Sequence, residues 1–266
     1  MPHFQARRRS ADFATMTISN EWMSHWAAAA AVFLLAGVIK GVIGLGLPTV
    51  SMALLALWMP PVRAAALLIV PSLVTNIWQT GPRATFMPVL RRIGGLQVGI
   101  VFGTLGGALW LGVPAGAWAS VALGVALVAY ALWGLMGRQL HLPPAHERWM
   151  GPLVGVATGL VTAVTGVFVV PAVPYLQALG FQRDSLIQAM GISFTTSTVV
   201  LAIGLAGNGS YPMSAVGGSV AMLVPAIVGM VLGTWLRQRL SVVVFRRCFL
   251  IGLALLGIYM AGRAMD

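Results

Sequence analysis

Hydrophobic residues run along this chain in long blocks, at about 26–59, 64–81, 93–112, 116–136, 151–180, 185–207, 213–235 and 242–262, and short intervening stretches carry most of the polar residues. Blocks of roughly 18 residues or more can cross a hydrocarbon core about 30 Å thick as helices. The pattern predicts an all-α fold, a polytopic transmembrane helical bundle of eight segments. The first block is too long for one crossing, since residues 26–59 would extend about 50 Å at ~1.5 Å per residue. GLGLP at 44–48 supplies a break, because glycine is flexible and Pro48 has no amide to donate. Gly166, Pro171 and Pro174 supply one in the fifth block. Counting each broken segment as two raises the total to ten.

The polar connection GRQLHLPPAHERWM divides the chain into matching halves. A shift of 120 residues places Gly46 on Gly166, Arg63 on Arg183 and Thr75 on Thr195, and GVIKG at 37–41 falls on GVATG at 155–159. The expected organisation is a polar tail at 1–24, a first repeat at 25–137, a linker at 138–149 and a second repeat at 150–264. Each repeat is a broken first helix or hairpin followed by three spans. Duplicated bundles with breaks at matched positions are a recurrent transporter design, with the site at the repeat interface. The tail and the apolar run after it imitate a secretory signal. The run continues into the repeated motif, however, so the tail is read as a loose extension, with Met16 or Met23 as alternative starts.

If each broken segment makes no net crossing or two, Arg83, Arg91, Arg92, Arg138, Arg148, Arg183, Arg237, Arg239, Arg246 and Arg247 share one side, and Arg63 and Arg263 lie on the other. A single crossing per broken segment would divide the same arginines six against six. The positive-inside rule favours the first arrangement, with inverted repeats and both ends outside, although the tail arginines argue the other way.

Composition changes the picture in three ways. Only 8% of the 266 residues are charged and 59% are hydrophobic, too little charge to cover a soluble surface of this size. The 16 Lys and Arg against 5 Asp and Glu would suit nucleic acid, but they sit in short loops rather than along one face, so they read as topology signals and no nucleic-acid partner is expected. Cys248, the single cysteine, is read as a small buried apolar residue. The four histidines have no metal-ligand spacing and no enzyme motif occurs, so neither a metal, a cofactor nor an enzyme activity is expected.

Lys40 is the one ionisable residue deep within an apolar block, a turn before the first break. A charge there costs at least ~2.5 kcal/mol on insertion scales, which makes it a functional-site candidate. No acidic residue in a membrane block could pair with it, and a cation beside broken backbone suits a small anion such as a sulfonate, sulfite or carboxylate. The alternative is a stem that snorkels to the interface. Thr75, Asn76 and Gln79 follow the first break, and Gln188, Ser193, Thr195, Thr196, Ser197 and Thr198 follow the second, two matched groups of neutral donors that could line an anion path. Their other reading is helix-to-helix bonding or bonding back to their own helix. Gly44, Gly46 and Pro48, with Gly166 and Pro171, would frame the site. Gly99, Gly103, Gly107, Gly229 and Gly233 are spaced for close helix packing, which would also admit a homo-oligomer. Arg183 and Asp184 are read as a surface pair or cap in a short turn.

The string GVIKGVIGLGLPTVSMALLALWMPPVRAAALLIVPSLVTNIWQ (37–79) and its second copy GLVTAVTGVFVVPAVPYLQALGFQRDSLIQAMGISFTTST (159–198) resemble the sulfite exporter TauE/SafE-like permease family. The second copy departs from the family in showing VTAVTG where several glycines are usual. The resemblance implies an eight-helix permease of duplicated origin in the bacterial cytoplasmic membrane, carrying sulfite, organosulfonates or related small anions, mostly outward. A chain with no membrane carboxylate suits uniport or weakly coupled export, since expulsion of an anion from a negative interior is favoured by ~2.3 kcal/mol per charge per 100 mV. The alternative function is a non-transporting membrane scaffold or accessory subunit.

Overall fold

The apolar blocks become helices and the short polar stretches become their ends. The computed structural model describes residues 24–263 apart from 82, 113, 115, 138, 139 and 212, so nearly all of the polar tail and Arg138 of the topology argument lie outside the described residues. The helices are α1 (Ser24–Ile43), α2 (Leu47–Leu55), α3 (Pro61–Gln79), α4 (Arg83–Arg92), α5 (Gly94–Trp110), α6 (Gly116–Met136), α7 (Pro144–Thr165), α8 (Ala172–Ala178), α9 (Arg183–Gly207), α10 (Met213–Leu236) and α11 (Val242–Arg263). No strand occurs among the described residues.

Six of these, α1, α3, α6, α9, α10 and α11, are long and apolar enough to cross a membrane, and the α4–α5 pair, bent by 66°, would make a seventh. Phe102, Val125, Val224 and Leu255, on α5, α6, α10 and α11, are each more than half exposed, a surface that lipid covers and water would not. The chain is a multi-pass membrane protein.

Both expected breaks occur. Gly44 (φ 88°) and Gly46 (φ 116°) take backbone angles that side chains rarely adopt, and Pro48 sits in the first turn of α2, where no amide is needed. In the second half Gly166 (φ 67°) closes α7, and irregular backbone leads to Pro171 at the start of α8. Val167, Phe168 and Val169 between them are wholly buried, so the irregular backbone is covered by protein. Met52 of α2 packs against Gly166, which brings the two breaks together.

Neighbouring residues give the helix directions. On α1 and α3, Lys40 meets Thr75 and Gly44 meets Gln79, while at their other ends Trp26 and Leu67 both lie against Gly218. The two helices therefore run parallel, and α2 with its connection carries the chain back between them. Gly37 and Gly41 lie against Ala226–Thr234 in rising order, so α10 runs the same way. Gly95 to Gly107 meet Pro152 to Ala163 in rising order, making α5 and α7 parallel too. By contrast, Asn76 faces Thr198 and Thr80 faces Gln188, so α3 and α9 are antiparallel. Gly124 against Gly257 and Gly134 against Leu250 make α6 and α11 antiparallel as well.

The glycine spacings serve this packing. A Cβ on Gly41 would stand 2.8 Å from the Gly233 Cα, and one on Gly99 would stand 2.8 Å from the Gly155 Cα. Backbones this close leave no room for alanine.

Several expectations change. Residues 83–92, taken as a loop, form α4, a polar helix that lies across the end of the bundle rather than continuing α5. The polar connection is shorter than its composition suggests, because α7 begins at Pro144. Arg183 and Asp184 are the first residues of α9 rather than a turn, and Asp184 complements the positive end of that helix. Cys248 is exposed, because α11 is an outer helix that buries only a stripe including Leu250, Leu253 and Gly257.

Candidate functional site

The end of α1, the end of α3 and the middle of α9 meet at one polar cluster. Lys40 is 4% exposed, and its stem does not carry the ammonium out to the surface. Its Nζ donates to Thr75 Oγ1 (3.1 Å) and to Asn76 Oδ1. The Thr75 hydroxyl donates to the Pro71 carbonyl (2.7 Å), and Asn76 Nδ2 donates to Thr198 Oγ1 (3.4 Å). Thr75, Asn76 and Thr198 are all buried. An ammonium has three N–H donors, and two are engaged here, so one remains for a ligand.

Beside this cluster lies a cavity of about 200 Å³. Lys40, Gly44, Thr75 and Gln79 line one wall, and Thr234 and Arg237 of the α10 end line the other. Among the described residues, no acidic side chain lines it. Two basic side chains and neutral polar groups around a space for a few heavy atoms can hold an anion. Gln79 closes the cavity against the break, its Nε2 donating to the Gly44 carbonyl (2.6 Å), one of the groups that the break strips of a helical partner.

The remaining sequence candidates are distributed differently. Gly46 and Pro48 shape the start of α2 without lining the cavity. Gln188 Nε2 donates to the Thr80 carbonyl and closes the end of α3. Ser193 accepts from Gln97 Nε2 (2.8 Å) on α5, away from Lys40. Thr195 and Thr196 bond back to the Gly191 and Ile192 carbonyls of their own helix (2.7 and 3.2 Å), the less functional of the two readings. Gly166 and Pro171 hold the second break and do not line the cavity. Sequence reasoning missed Arg237, which it counted only as a loop cation, and Thr234. The available signal was their spacing after Gly229 and Gly233, which fixes the face α10 turns towards α1.

Of the described arginines, Arg83, Arg91, Arg92, Arg148, Arg183, Arg237, Arg239, Arg246 and Arg247 lie at the end of the bundle where α5, α7, α9 and α11 begin. Arg63 and Arg263 lie at the other end. The cavity mouth, marked by Arg237, belongs to the crowded end.

A family model described as Sulfite exporter TauE/SafE matches residues 29–260, both breaks included. No curated protein and no solved structure matches the chain.

Proposed function

The chain belongs to the sulfite exporter TauE/SafE family of membrane transporters, which are not enzymes, and on that premise we propose that it carries a small oxyanion, sulfite or an organosulfonate or a related carboxylate, outward across a bacterial cytoplasmic membrane. The observation that carries this reading is the buried Lys40 on the wall of a cavity shared with Arg237 and free of carboxylates. Lys40 is the anion anchor, and Thr75, Asn76 and Gln79 fix its position and shape the space before it.

The path follows from an inverted-repeat reading. Helix α1 packs on α10 and α7 packs on α5, both pairs parallel and both through glycines, while α3 with α9 and α6 with α11 pair antiparallel. Exchanging the halves turns each of these pairs into another of the set, as a two-fold axis in the membrane plane requires. With nine described arginines at one end, that end is cytoplasmic and both chain ends are outside. The cavity then faces the cytoplasm, ready to load an anion for export. Lipid and the small anion are the expected partners.

Counterflow of labelled sulfite and sulfoacetate in proteoliposomes tests the proposal. Flux should fall to the protein-free level in Lys40→Ala. Undiminished flux in that variant overturns Lys40 as anchor, and a folded protein that moves nothing in a broad anion panel overturns transport in favour of a scaffold.

A further inference from the structure

We propose a second oxyanion site at the opposite end of the bundle, built around Arg263 and suited to a tetrahedral oxyanion, either the phosphate of an anionic lipid headgroup or a free inorganic anion. A cavity of about 400 Å³ opens there, twice the volume of the one beside Lys40. Its walls come from the α2–α3 connection (Leu57, Trp58), the first turns of α6 (Ser120) and the last turn of α11 (Tyr259, Arg263). Among the described residues, no acidic side chain lines it.

Arginine at a helix C-terminus ordinarily answers the carbonyls of its own last turn. Arg263 instead crosses to another element, its Nη1 donating to the Leu57 carbonyl at 3.1 Å. That contact anchors the guanidinium at the cavity and uses one of its five N–H donors, leaving a fork suited to two oxygens of one anion. The other end of the bundle has a comparable clamp: Arg92 donates to the Leu179 carbonyl (2.7 Å) on the connection after α8. Arg92, however, is neutralised by Glu147, with bonds of 2.7 and 3.0 Å. Among the described residues Arg263 has no carboxylate partner.

Secondary features agree. The first turn of α6 borders the cavity, at Ala117 and Ser120, so the positive end of that helix faces it. Ser120 supplies a hydroxyl, and exposed Trp58 and Tyr259 are the residue types that settle at headgroup depth.

Thermal unfolding and native mass spectrometry of the purified full-length protein test the site. One arm titrates inorganic phosphate in detergent. The other compares nanodiscs of phosphatidylcholine alone with nanodiscs containing phosphatidylglycerol. Either ligand should raise the melting temperature, and a response should persist in Lys40→Ala, with apparent affinity at least about tenfold weaker in Arg263→Gln and intermediate in Arg263→Lys, which keeps the charge and loses the fork. A response confined to phosphatidylglycerol assigns the site to lipid, and one confined to phosphate assigns it to a free anion. Ser120→Leu, which fills the cavity and spares the arginine, should abolish the response if Arg263→Gln folds poorly. The site is overturned if neither ligand acts on the wild type, if Arg263→Gln responds as the wild type does, or if Ser120→Leu leaves the response intact.

Discussion

Each half of the chain carries one broken segment, and the polar side chains around the two breaks bond differently. In the first, polar side chains reach across to other elements: Lys40 to Thr75 and Asn76, Asn76 to Thr198, Gln79 to Gly44. In the second, Gln188 and Ser193 also bond across, but the threonines around the break fold back on the carbonyl four residues earlier, as Thr75 does too: Thr158 on Val154, Thr162 on Thr158, Thr165 on Val161, Thr195 on Gly191. Thr158 is the residue that takes the place of Lys40 in GVATG. The space differs accordingly. Beside Lys40 there are about 200 Å³, whereas between α5, α7 and α9, at Thr104, Ala163 and Gly204, there are about 10 Å³. The helices are equally close at Gly41 and at Gly159, so the difference lies in the side chains beside the glycines, a lysine bonded across to α3 in one half and a threonine bonded to its own helix in the other. In the proposed inverted frame, one half is a loaded socket open to the arginine-rich end and the other is its sealed counterpart.

The largest expected effect breaks that asymmetry at its source. Lys40→Thr makes the first half chemically like the second and should lower anion flux at least about a hundredfold, a loss of roughly 2.7 kcal/mol in transition-state binding at about 1.4 kcal/mol per decade. Thr158→Ala, which removes only a hydroxyl already bonded to its own helix, should stay within about twofold in the same counterflow assay. The double exchange Lys40→Thr with Thr158→Lys should not restore flux, because the sealed half has no room for a lysine stem. Restored flux would mean that the halves are interchangeable and that the asymmetry is incidental.

Next in size is the frame that both halves share. Gly41→Leu and Gly159→Leu each push a side chain into the facing backbone, at Gly233 and at Gly103 respectively, and overpacking of this kind costs about 1–3 kcal/mol. Equal falls in melting temperature for the two variants are the expected result. A fall in only one would break the equivalence of the α1–α10 and α7–α5 contacts.

Much of this frame was legible before any coordinates, for a physical reason. Breaks need glycine with positive φ or proline, close helix contacts need glycine at every fourth place, and spans need unbroken apolar length, and each of these leaves a mark at fixed spacing. Gly44, Gly166, Gly99 and Gly229 are such marks. The site was legible only in part. Lys40 stood out because a buried cation is rare, but which hydroxyls served it depended on what lay opposite: Thr75 and Thr195 both donate to the carbonyl four residues earlier, and only Thr75 also meets the lysine. Arg237 was hidden among loop arginines because its role comes from the face that α10 presents to α1. Cys248 was misplaced because apolar surroundings in sequence mean burial in water but not in lipid.

A third pair sharpens the comparison at single residues. Asn76 links Lys40 to α9 and is wholly buried, whereas Thr196, its copy in the second half, bonds only to Ile192. Asn76→Ala leaves the ammonium with Thr75 as its one partner and should cost about tenfold in flux, close to the 1–3 kcal/mol of a charged hydrogen bond. Thr196→Ala should cost less than about twofold. If both lose equally, the cross-element bonds of the first half confer no special role.

The smallest effect is expected where the two ends are compared. Arg92 joins α4 to α7 through Glu147 and to the end of the α8 return through the Leu179 carbonyl, with Phe181 under its guanidinium at 4.5 Å. The pair is bidentate yet partly exposed, Arg92 by 38% and Glu147 by 15%, so screening by water holds its worth to about 1 kcal/mol. Arg92→Ala should lower the melting temperature by a few degrees, increasingly so at low salt, and leave the concentration dependence of sulfite flux unchanged, because nothing in this clamp touches the cavity beside Lys40. Glu147→Gln should act differently. It leaves the guanidinium charged and without its carboxylate, which places Arg92 in the condition of Arg263, and an anion response that Lys40→Ala does not remove should then appear at the arginine-rich end. If it does not, the carboxylate partner is not what separates the two clamps, and the difference between the ends lies in the shape of the cavity alone.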